Sequence, residues 1–597
     1  MPGPMNRRAP YEKAEKGTFK KSMGKLIRYC KPYYFLIALI ILLGALGVVS
    51  QILGPNRIQD ITNKIIEGLK IGTIDVQAIT KICIFLVFIF VFGATFSYLS
   101  QYFTSIITQK VVKRLRKDIS KKINKMPLKY FDNHLYGDVL SRVTNDVDTI
   151  GQSLNESMGS LFSNILLFLG VLIMMFITEP LMALTAIGAT LIGFLFSLIF
   201  LTKSQKYFNQ VQENLGNLYS HVEENYSGHN VVKLYNAENQ SKEQFNKIND
   251  KLFKSGWRSQ FISGVMGPIM GFIGNFGYVA VCIVGGVLAA TRGISYFGVI
   301  AAFMIYIRLF SNPLSQIAQS LTSLQSVSAS SKRVFDFLGE EELADESHKN
   351  MVIDNIKGNV EFQHVSFGYK ADKLIIKDFS AEIKAGQKIA IVGPTGAGKT
   401  TLVNLLMRFY EINGGNIKID EKSIKDMTRE QVHSLFGMVL QDTWLFEGTI
   451  KENLRFNTNV TDDEIIKVCK LVGVDHFIQT LSNGYDTIID DTINMSAGQK
   501  QLLTIARTIL ADKPMIILDE ATSSVDTRTE VLLQNAMDKA MEGRTSFVIA
   551  HRLSTIKNAD MILVLKDGDI VEKGNHEELL GQNGFYAELY NSQFETT

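Results

Sequence analysis

A chain of 597 residues is too long for one hydrophobic core and divides into at least two domains. Hydrophobic residues make up 46% and charged residues only 20%, with 37 phenylalanines, which suits a chain partly in membrane better than a fully soluble one. The 62 Lys and Arg against 59 Asp and Glu leave a net charge of +3, too balanced for nucleic acid to be expected as a partner.

The opening Met1–Lys31 mixes Arg7, Arg8, Lys13, Lys16, Lys20 and Lys21 with Glu12 and Glu15, and no cleavage site follows the first apolar run. It is read as neither a signal peptide nor a transit peptide. The apolar content is concentrated before about residue 325, in stretches long enough to cross a hydrocarbon core of about 30 Å, which takes about 20 helical residues. Six spans are predicted, near Tyr33–Leu53, Ile82–Phe103, Met158–Ile177, Leu181–Leu201, Phe261–Ala290 and Ser295–Ile317. The third and fourth are separated only by Thr178-Glu179-Pro180 and should form a tight hairpin. Between spans two and three lie Lys110, Lys113, Arg114, Arg116, Lys117, Lys121, Lys122, Lys125 and Lys129, on the same side as the basic N-terminus. The positive-inside rule therefore expects the N-terminus, both long loops and the C-terminal half in the cytoplasm of a multi-pass protein of the cytoplasmic membrane.

The two long loops, 104–157 and 202–260, keep helical spacing, as in Val111, Val112, Leu115, Ile119 and Ile123. They read as spanning helices continuing beyond the bilayer, each pair joined by a crossing segment, one at Tyr130–Asp138 and one near Glu223–His229. Residues 326–358 form a charged linker with Glu340, Glu341, Glu342, Asp345 and Glu346. The expected division is a transmembrane domain over 1–325, this linker, and a second domain over 359–597. There the periodicity changes to short β-type runs such as Val360–Val365 and Lys388–Val392, alternating with helical segments in an α/β pattern. The four cysteines, Cys30, Cys83, Cys282 and Cys469, match no metal or disulfide spacing and are expected to be reduced packing residues.

The strand Lys388–Val392 runs into Gly393-Pro394-Thr395-Gly396-Ala397-Gly398-Lys399-Thr400, with Thr401 next and a helix expected over Thr400–Phe409. This is the P-loop pattern. Its glycines let backbone N–H groups curl around a phosphate, Lys399 reaches the β- and γ-phosphates, and Thr400 offers its hydroxyl to Mg²⁺. The apolar strand from Met515 ends in Asp519 and Glu520. Carboxylates at such a strand end are costly unless they meet a cation or a proton-transfer task. Asp519 is the natural Mg²⁺ partner and Glu520 the natural base for an attacking water.

About a hundred residues past the P-loop the chain reads Met495-Ser496-Ala497-Gly498-Gln499. This resembles the signature loop of ATP-binding-cassette (ABC) proteins, and with the six spans the whole chain is similar to ABC exporter half-transporters. The fold class that follows is an all-α six-helix transmembrane domain and then an α/β P-loop ATPase domain. The resemblance implies an ATP hydrolase coupled to transport, with ATP and Mg²⁺ bound between two cassettes. Tyr369 then matches the aromatic that stacks on adenine, and Gln441 the Q-loop glutamine that touches Mg²⁺. His551 matches the switch histidine at the γ-phosphate, and Ser523 to Asp526 the D-loop at the cassette interface. Ser496, Gly498 and Gln499 would close over the nucleotide of the partner subunit. The string from Phe131-Asp132 through Gly137-Asp138 and Ser141-Arg142 to Asn145-Asp146 resembles the first intracellular loop of these exporters; the alternative is that Asp138 and Asp146 solvate a helix face.

The usual signature is Leu-Ser-Gly-Gly-Gln, so Met495 and Ala497 depart from it, and Asp490-Asp491 stand where a Gly-Glu pair is usual. A methyl at Ala497 crowds a close backbone approach that glycine permits. With Glu520 intact, this resembles the consensus-Walker-B subunit of heterodimeric bacterial multidrug exporters, whose partner lacks the Walker B glutamate; a homodimer with a harmless substitution is the alternative. The expected cargo is a small lipophilic or amphipathic compound, with membrane lipids as neighbours. Met266, Met270, Phe272, Phe303, Met304 and Phe310 form an adaptable apolar surface, or simply pack. A lipid flippase and a nucleotide-gated regulator are the other readings. Arg57 and Arg308, rare charges near spans, either serve a cavity or snorkel.

Overall fold

The computed structural model describes residues 18–594 except 135, 295, 371–372, 442, 491–492, 494, 520–525 and 551–552; within helices, side chains at 18, 194, 196–205, 266–267, 269–270, 273–274, 527, 553–554 and 593–594 are also left out. The chain divides into two compact units. One runs to Asn124 and resumes over Gly137–Glu340; the other takes Lys125–Tyr136 and everything from Glu341 onward.

The first unit is all helix. A short amphipathic α1 (Thr18–Tyr29) leads through a 3-10 turn at Lys31–Tyr33 into α2 (Tyr34–Ile71), and Gly72 ends α2 in the left-handed conformation. Asp75 caps the start of α3 (Val76–Ile123), accepting from the Ala78 N–H at 2.9 Å. Small residues let α2 and α3 approach closely: a Cβ added at Gly93 would stand 1.9 Å from Ser50 Oγ, and one at Gly47 2.6 Å from Ser97 Oγ. After a crossing segment made of α4 (Leu128–Asn133) and α5 (Tyr136–Ser141), the helix changes to a π-turn over Arg142–Asp146. It continues as α6 (Val147–Ser157) and α7 (Ser160–Thr178). Pro180 opens α8 (Pro180–Ser227) at the position where its missing N–H costs nothing. A one-turn helix, α9 (His229–Leu234), links α8 to α10 (Glu238–Arg292), and α11 (Tyr296–Leu338) closes the unit.

Five stretches among the described residues are long and apolar enough to cross a membrane: Lys31–Ile71, Val76–Ile123, Tyr136–Thr178, Asn275–Arg292 and Tyr296–Leu338. Pro180–Gly193 is a shorter apolar stretch; the side-chain description of α8 breaks off just beyond it, while its backbone stays helical to Ser227. The second crossing segment, α9, starts at the end of the stretch expected from the sequence. The long helices do continue through the expected loops, and Val111, Val112, Leu115 and Ile119 are all buried.

In the second unit the two larger of the three sheets among the described residues enclose two cores. Strands β1 (Val360–Phe367), β2 (Ile376–Ile383), β4 (Gly414–Ile419) and β5 (Lys422–Ser423) form an antiparallel sheet in the order β2-β1-β4-β5; β3 (Lys388–Val392) and α12 (Lys399–Leu406) lie between β2 and β4 in the chain. Beyond it come α13 (Arg429–Ser434), β6 (Phe436–Val439), β7 (Gly448–Thr449), α14 (Ile450–Arg455), α15 (Asp462–Leu471), α16 (Asp475–Thr480), β8 (Ile488–Ile489) and α17 (Ala497–Leu510). The chain finishes with β9 (Met515–Asp519), α18 (Thr527–Met541), β10 (Thr545–Ile549), α19 (Leu553–Lys557), β11 (Met561–Lys566), β12 (Asp569–Gly574), α20 (His576–Gly581) and α21 (Phe585–Phe594).

The larger sheet has the order β12-β11-β3-β10-β9-β6, parallel except for β12 at the edge. Its strands are apolar on both faces because both are covered. Ile389, Ile391, Ile517, Phe547 and Leu563 point to the core shared with α12 and the antiparallel sheet. The alternate residues Ala390, Val392, Ile516, Leu518 and Val548 join the core beneath α15, α17 and α18.

Candidate functional site

The site lies at the carboxyl ends of β3, β10 and β9, the edge where open parallel sheets hold their ligands. Ile391 on β3 pairs with Ile549 on β10, and Ile549 pairs with Asp519 on β9, so the P-loop leaves the sheet level with the carboxylate-bearing strand end, one strand away. Three loop glycines have positive φ: Gly393 at 154°, Gly396 at 86° and Gly398 at 101°. A Cβ at Gly393 would lie 2.3 Å from the Leu565 carbonyl oxygen, so a side chain there displaces backbone. Ala397, between Gly396 and Gly398, is buried, and Pro394 and Thr395 are exposed.

Lys399 opens α12 and is 9% exposed. Its Nζ donates to the carbonyls of Gly393 at 2.7 Å and Pro394 at 3.1 Å, curling under the loop. Burial pushes its pKa below the ordinary lysine value, opposed by the nearby charge of Asp519. Thr400 is exposed on the first turn of α12, and Thr401 is buried. Thr401 Oγ1 lies 3.2 Å from the hydroxyl of Tyr369. The Tyr369 ring, 37% exposed, stands edge-on to Phe367 and to Tyr410, with centroids 5.1 and 5.0 Å away. Gln441 is exposed two residues past β6.

Ser496 is the N-cap of α17 and forms a capping box with Gln499: its Oγ accepts from the Gln499 N–H at 3.2 Å, and Gln499 Oε1 accepts from the Ser496 N–H at 2.9 Å. Met495 is buried in the core beneath α17, whereas Ala497 faces solvent and Gly498 is buried. Asp526 caps α18, accepting from the Thr529 N–H at 3.0 Å, and that bond holds its carboxyl below the ordinary range. Glu520, Ser523 and His551 lie outside the described residues. The structure thus brings Lys399, Thr400, Thr401, Tyr369 and Asp519 to one edge of the sheet, while Ser496, Gly498, Gln499 and Asp526 mark two helix starts.

Two residues escaped the sequence reading. Tyr410, beyond the P-loop helix, completes the aromatic cluster, and its hydroxyl donates to Asp132 on α4 within the same unit. No spacing rule points to it. Gln501 on α17 is 1% exposed, with neither amide oxygen nor amide nitrogen hydrogen-bonded among the described residues. Its signal was a polar residue on the apolar face of a helix.

Elsewhere, Asp138 is exposed, as the solvated-face alternative expects, but Asp146 is buried and pairs through both oxygens with Arg333, one bond at 2.9 Å. Arg57 pairs with Asp60 at 2.9 Å, and Arg308 is exposed. Phe303 and Phe310 are core residues, Met304 is partly buried and Phe272 is exposed; the side chains of Met266 and Met270 lie outside the described residues. All four cysteines are free thiols, with Cys30 and Cys469 buried and Cys83 exposed.

A helical membrane unit joined to a P-loop ATPase unit in one chain defines a membrane ATPase. Its two regions match family profiles: residues 37–314 that of the ABC transporter transmembrane region, and residues 376–523 that of the ABC transporter. The chain belongs to the ABC transporter family, as an exporter-type half-transporter whose ATP-binding domain is a transport-coupled ATPase. It is 47% identical over 470 residues to the fatty acid ABC transporter ATP-binding/permease protein of Mycobacterium tuberculosis, covering 78% of this chain and 74% of that one. It is 38% identical over 581 residues to an uncharacterized ABC transporter ATP-binding protein of Bacillus subtilis, YfiC, covering 96% and 95%. A probable multidrug resistance ABC transporter ATP-binding/permease protein of the same bacterium, YheH, is 33% identical over 511 residues, covering 84% and 75%.

Proposed function

We propose that this chain is one half of an ATP-driven exporter of lipophilic or amphipathic compounds, multidrug export being the simplest case, and that it works beside a non-identical half-transporter. The cassette faces the cytoplasm in this reading, as the basic segment Lys110–Lys129 favours. The observation that carries it is the buried Lys399 ammonium, donating to loop carbonyls near the charge of Asp519. A cation desolvated under a ring of glycine amides gains most from a polyanion, and the triphosphate of ATP fits that need.

Mg²⁺ also fits the donors present. The Thr400 hydroxyl, the Asp519 carboxylate and the Gln441 amide are oxygen donors from three elements. Among the described residues no three His, Cys, Asp or Glu side chains gather into a metal cage. That suits a hard cation bound by one or two protein oxygens together with phosphates. Bound there, Mg²⁺ neutralises charge on the terminal phosphates. Lys399 orients the phosphates, Tyr369 supplies a face for adenine, Glu520 polarises the attacking water and His551 contacts the γ-phosphate. Asp526 and the Ser496 loop serve the cassette interface.

The exposed Ala497 at the start of α17 supports the asymmetric pairing, because its methyl occupies the face a partner's nucleotide would approach. The fatty-acid name of the 47% identical mycobacterial relative favours a second reading, in which the cargo is an acyl-chain amphiphile. Turnover in nanodiscs, with the partner half present, separates the two: drug stimulation supports the first and fatty-acid stimulation the second. Under either, Glu520→Gln is expected to lower ATP hydrolysis by about 10²–10⁴-fold with nucleotide retained. Unchanged turnover in that variant would refute the site.

A further inference from the structure

Far along the chain from the P-loop, the first helix and the turn behind it gather cations without matching acids. An open cleft of about 760 Å³ is lined by Lys20, Lys21, Lys25, Arg28, Lys31 and Arg114, with Tyr29 and Phe335 at its floor. Lys25 pairs with Asp336 at 3.3 Å. Arg114 stacks on the Tyr29 ring at 4.5 Å and lies 3.9 Å from Asp118, which accepts from the Tyr29 hydroxyl at 2.7 Å. Lys20, Lys21, Arg28 and Lys31 are exposed and have no acidic partner among the described residues.

The surroundings decide what anion this cleft would take. Successive helical residues rotate by about 100°, which divides α1 into three strips. Ser22, Leu26 and Cys30 face inward and are buried. Ile27, 55% exposed, stands beside the half-buried Met23 on an apolar flank, and Lys20, Lys21, Arg28 and Lys25 form a basic arc next to it; Phe19, 45% exposed, lies at the start of the inward strip. The apolar span of α2 begins only a few residues later, at Tyr34 and Phe35, the latter 84% exposed. A helix with an uncovered apolar strip next to a basic strip, at the mouth of a spanning helix, lies in the membrane surface. The cleft therefore sits at the level of lipid phosphates.

We infer that this cleft binds the headgroup of an anionic phospholipid. Its phosphate sits among Lys20, Lys21 and Arg28, and its acyl chains run along Ile27 and Phe35. Basic pockets beside spanning helices recognise anionic headgroups in this way, each cation near the surface contributing about a fivefold gain in affinity.

The test titrates purified full-length protein in detergent with phosphatidylglycerol or phosphatidylcholine and counts bound lipid by native mass spectrometry. Phosphatidylglycerol should bind and phosphatidylcholine should not at the same concentration. The triple variant Lys20→Gln, Lys21→Gln, Arg28→Gln should bind phosphatidylglycerol on the order of a hundredfold more weakly. Its ATP affinity should be unchanged, which also reports that it is folded. Equal phosphatidylglycerol binding by variant and parent would overturn the inference, and so would equal binding of the two lipids. Displacement by millimolar inorganic phosphate would assign the cleft to a free anion and overturn the lipid reading. Should the triple variant fail to bind ATP, Arg28→Gln alone carries the same test, with about a fivefold loss expected.

Discussion

Gln501 lies on α17, the helix that Ser496 caps, and among the described residues neither its amide oxygen nor its amide nitrogen has a hydrogen-bond partner. It is 1% exposed. Leaving a buried amide unsatisfied costs about 1–3 kcal/mol, and a fold tolerates that where function needs the group. Gln501→Met keeps the volume and removes the orphaned atoms. The variant should melt higher than the parent, by an amount equivalent to about 1–3 kcal/mol, and hydrolyse ATP more slowly. A lower melting temperature would show that the amide is satisfied in the native state. His433 carries a second residue-scale consequence. Its Nε2–H donates to the Met407 carbonyl at 2.9 Å, and burial pushes its pKa below the ordinary value of 6.5, helped by Arg429 and Arg408. The folded state then binds the proton less well than the unfolded chain. Its contribution to stability is complete above pH 6.5 and falls as pH drops below it. As pH falls below 6.5 the protein should lose stability through this group. His433→Gln should flatten that part of the melting-temperature profile, and an unaltered slope would remove His433 as its source.

Among the elements, the segment after α11 shows what charge alone conceals. From the sequence, Glu346 is one acid among several in a charged linker. In the structure it is the hub that ties this segment to the second unit. Its Oε1 meets Arg408 at 2.7 Å, Lys349 at 2.9 Å and Arg429 at 3.1 Å, and its Oε2 accepts from the Arg429 backbone N–H at 2.7 Å. Burial pushes the Glu346 carboxyl up, but these donors together hold it below the ordinary value. Arg408, with a side chain only 6% exposed, keeps Glu411 at 3.0 Å if Glu346 is lost. Glu346→Ala should therefore destabilise the second unit by about 2–3 kcal/mol, below the full cost of an orphaned buried charge, as read by denaturant titration. A change under about 0.5 kcal/mol would show the strap to be ornamental. The same comparison explains which elements were legible. Lys388–Val392 and the strand from Met515 were readable because an apolar run followed by a glycine loop or by acids has few other solutions. Thr400–Phe409 was expected as one helix, yet α12 ends at Leu406, and Arg408 takes a positive φ of 54° so that its guanidinium can reach Glu346. Likewise α11 continues to Leu338, because Val334 and Phe337 still bury against the bundle in a stretch that reads as charged linker. Tertiary partners fixed those boundaries, and partners distant in sequence leave no local signal.

For the whole molecule, the question is which second half completes the site. The P-loop and Asp519 come from one edge of the sheet, while Ser496 and Asp526 stand at helix starts whose polar atoms already satisfy their own N–H groups. In this arrangement the Ser496 oxygen accepts from the Gln499 N–H, which leaves its O–H free to donate to a phosphate oxygen brought to the start of α17. On the proposed asymmetric pairing, the exposed methyl of Ala497 hinders a close backbone approach that glycine would permit. A homodimer would place this same loop over both of its ATP sites, whereas a partner with a Leu-Ser-Gly-Gly-Gln loop would supply one without the methyl. Two copies of the chain carrying different affinity tags, expressed together without any other half-transporter, should therefore not copurify in detergent, and the chain alone should hydrolyse ATP slowly. Adding a half-transporter with a Leu-Ser-Gly-Gly-Gln loop should recover both the complex and the turnover. Efficient copurification of the two tags with full ATPase activity would establish a homodimer and make Ala497 a neutral substitution. Ala497→Gly then distinguishes the remaining cases: a rise in turnover of the chain alone locates the defect at that methyl, and no rise places it elsewhere in the loop.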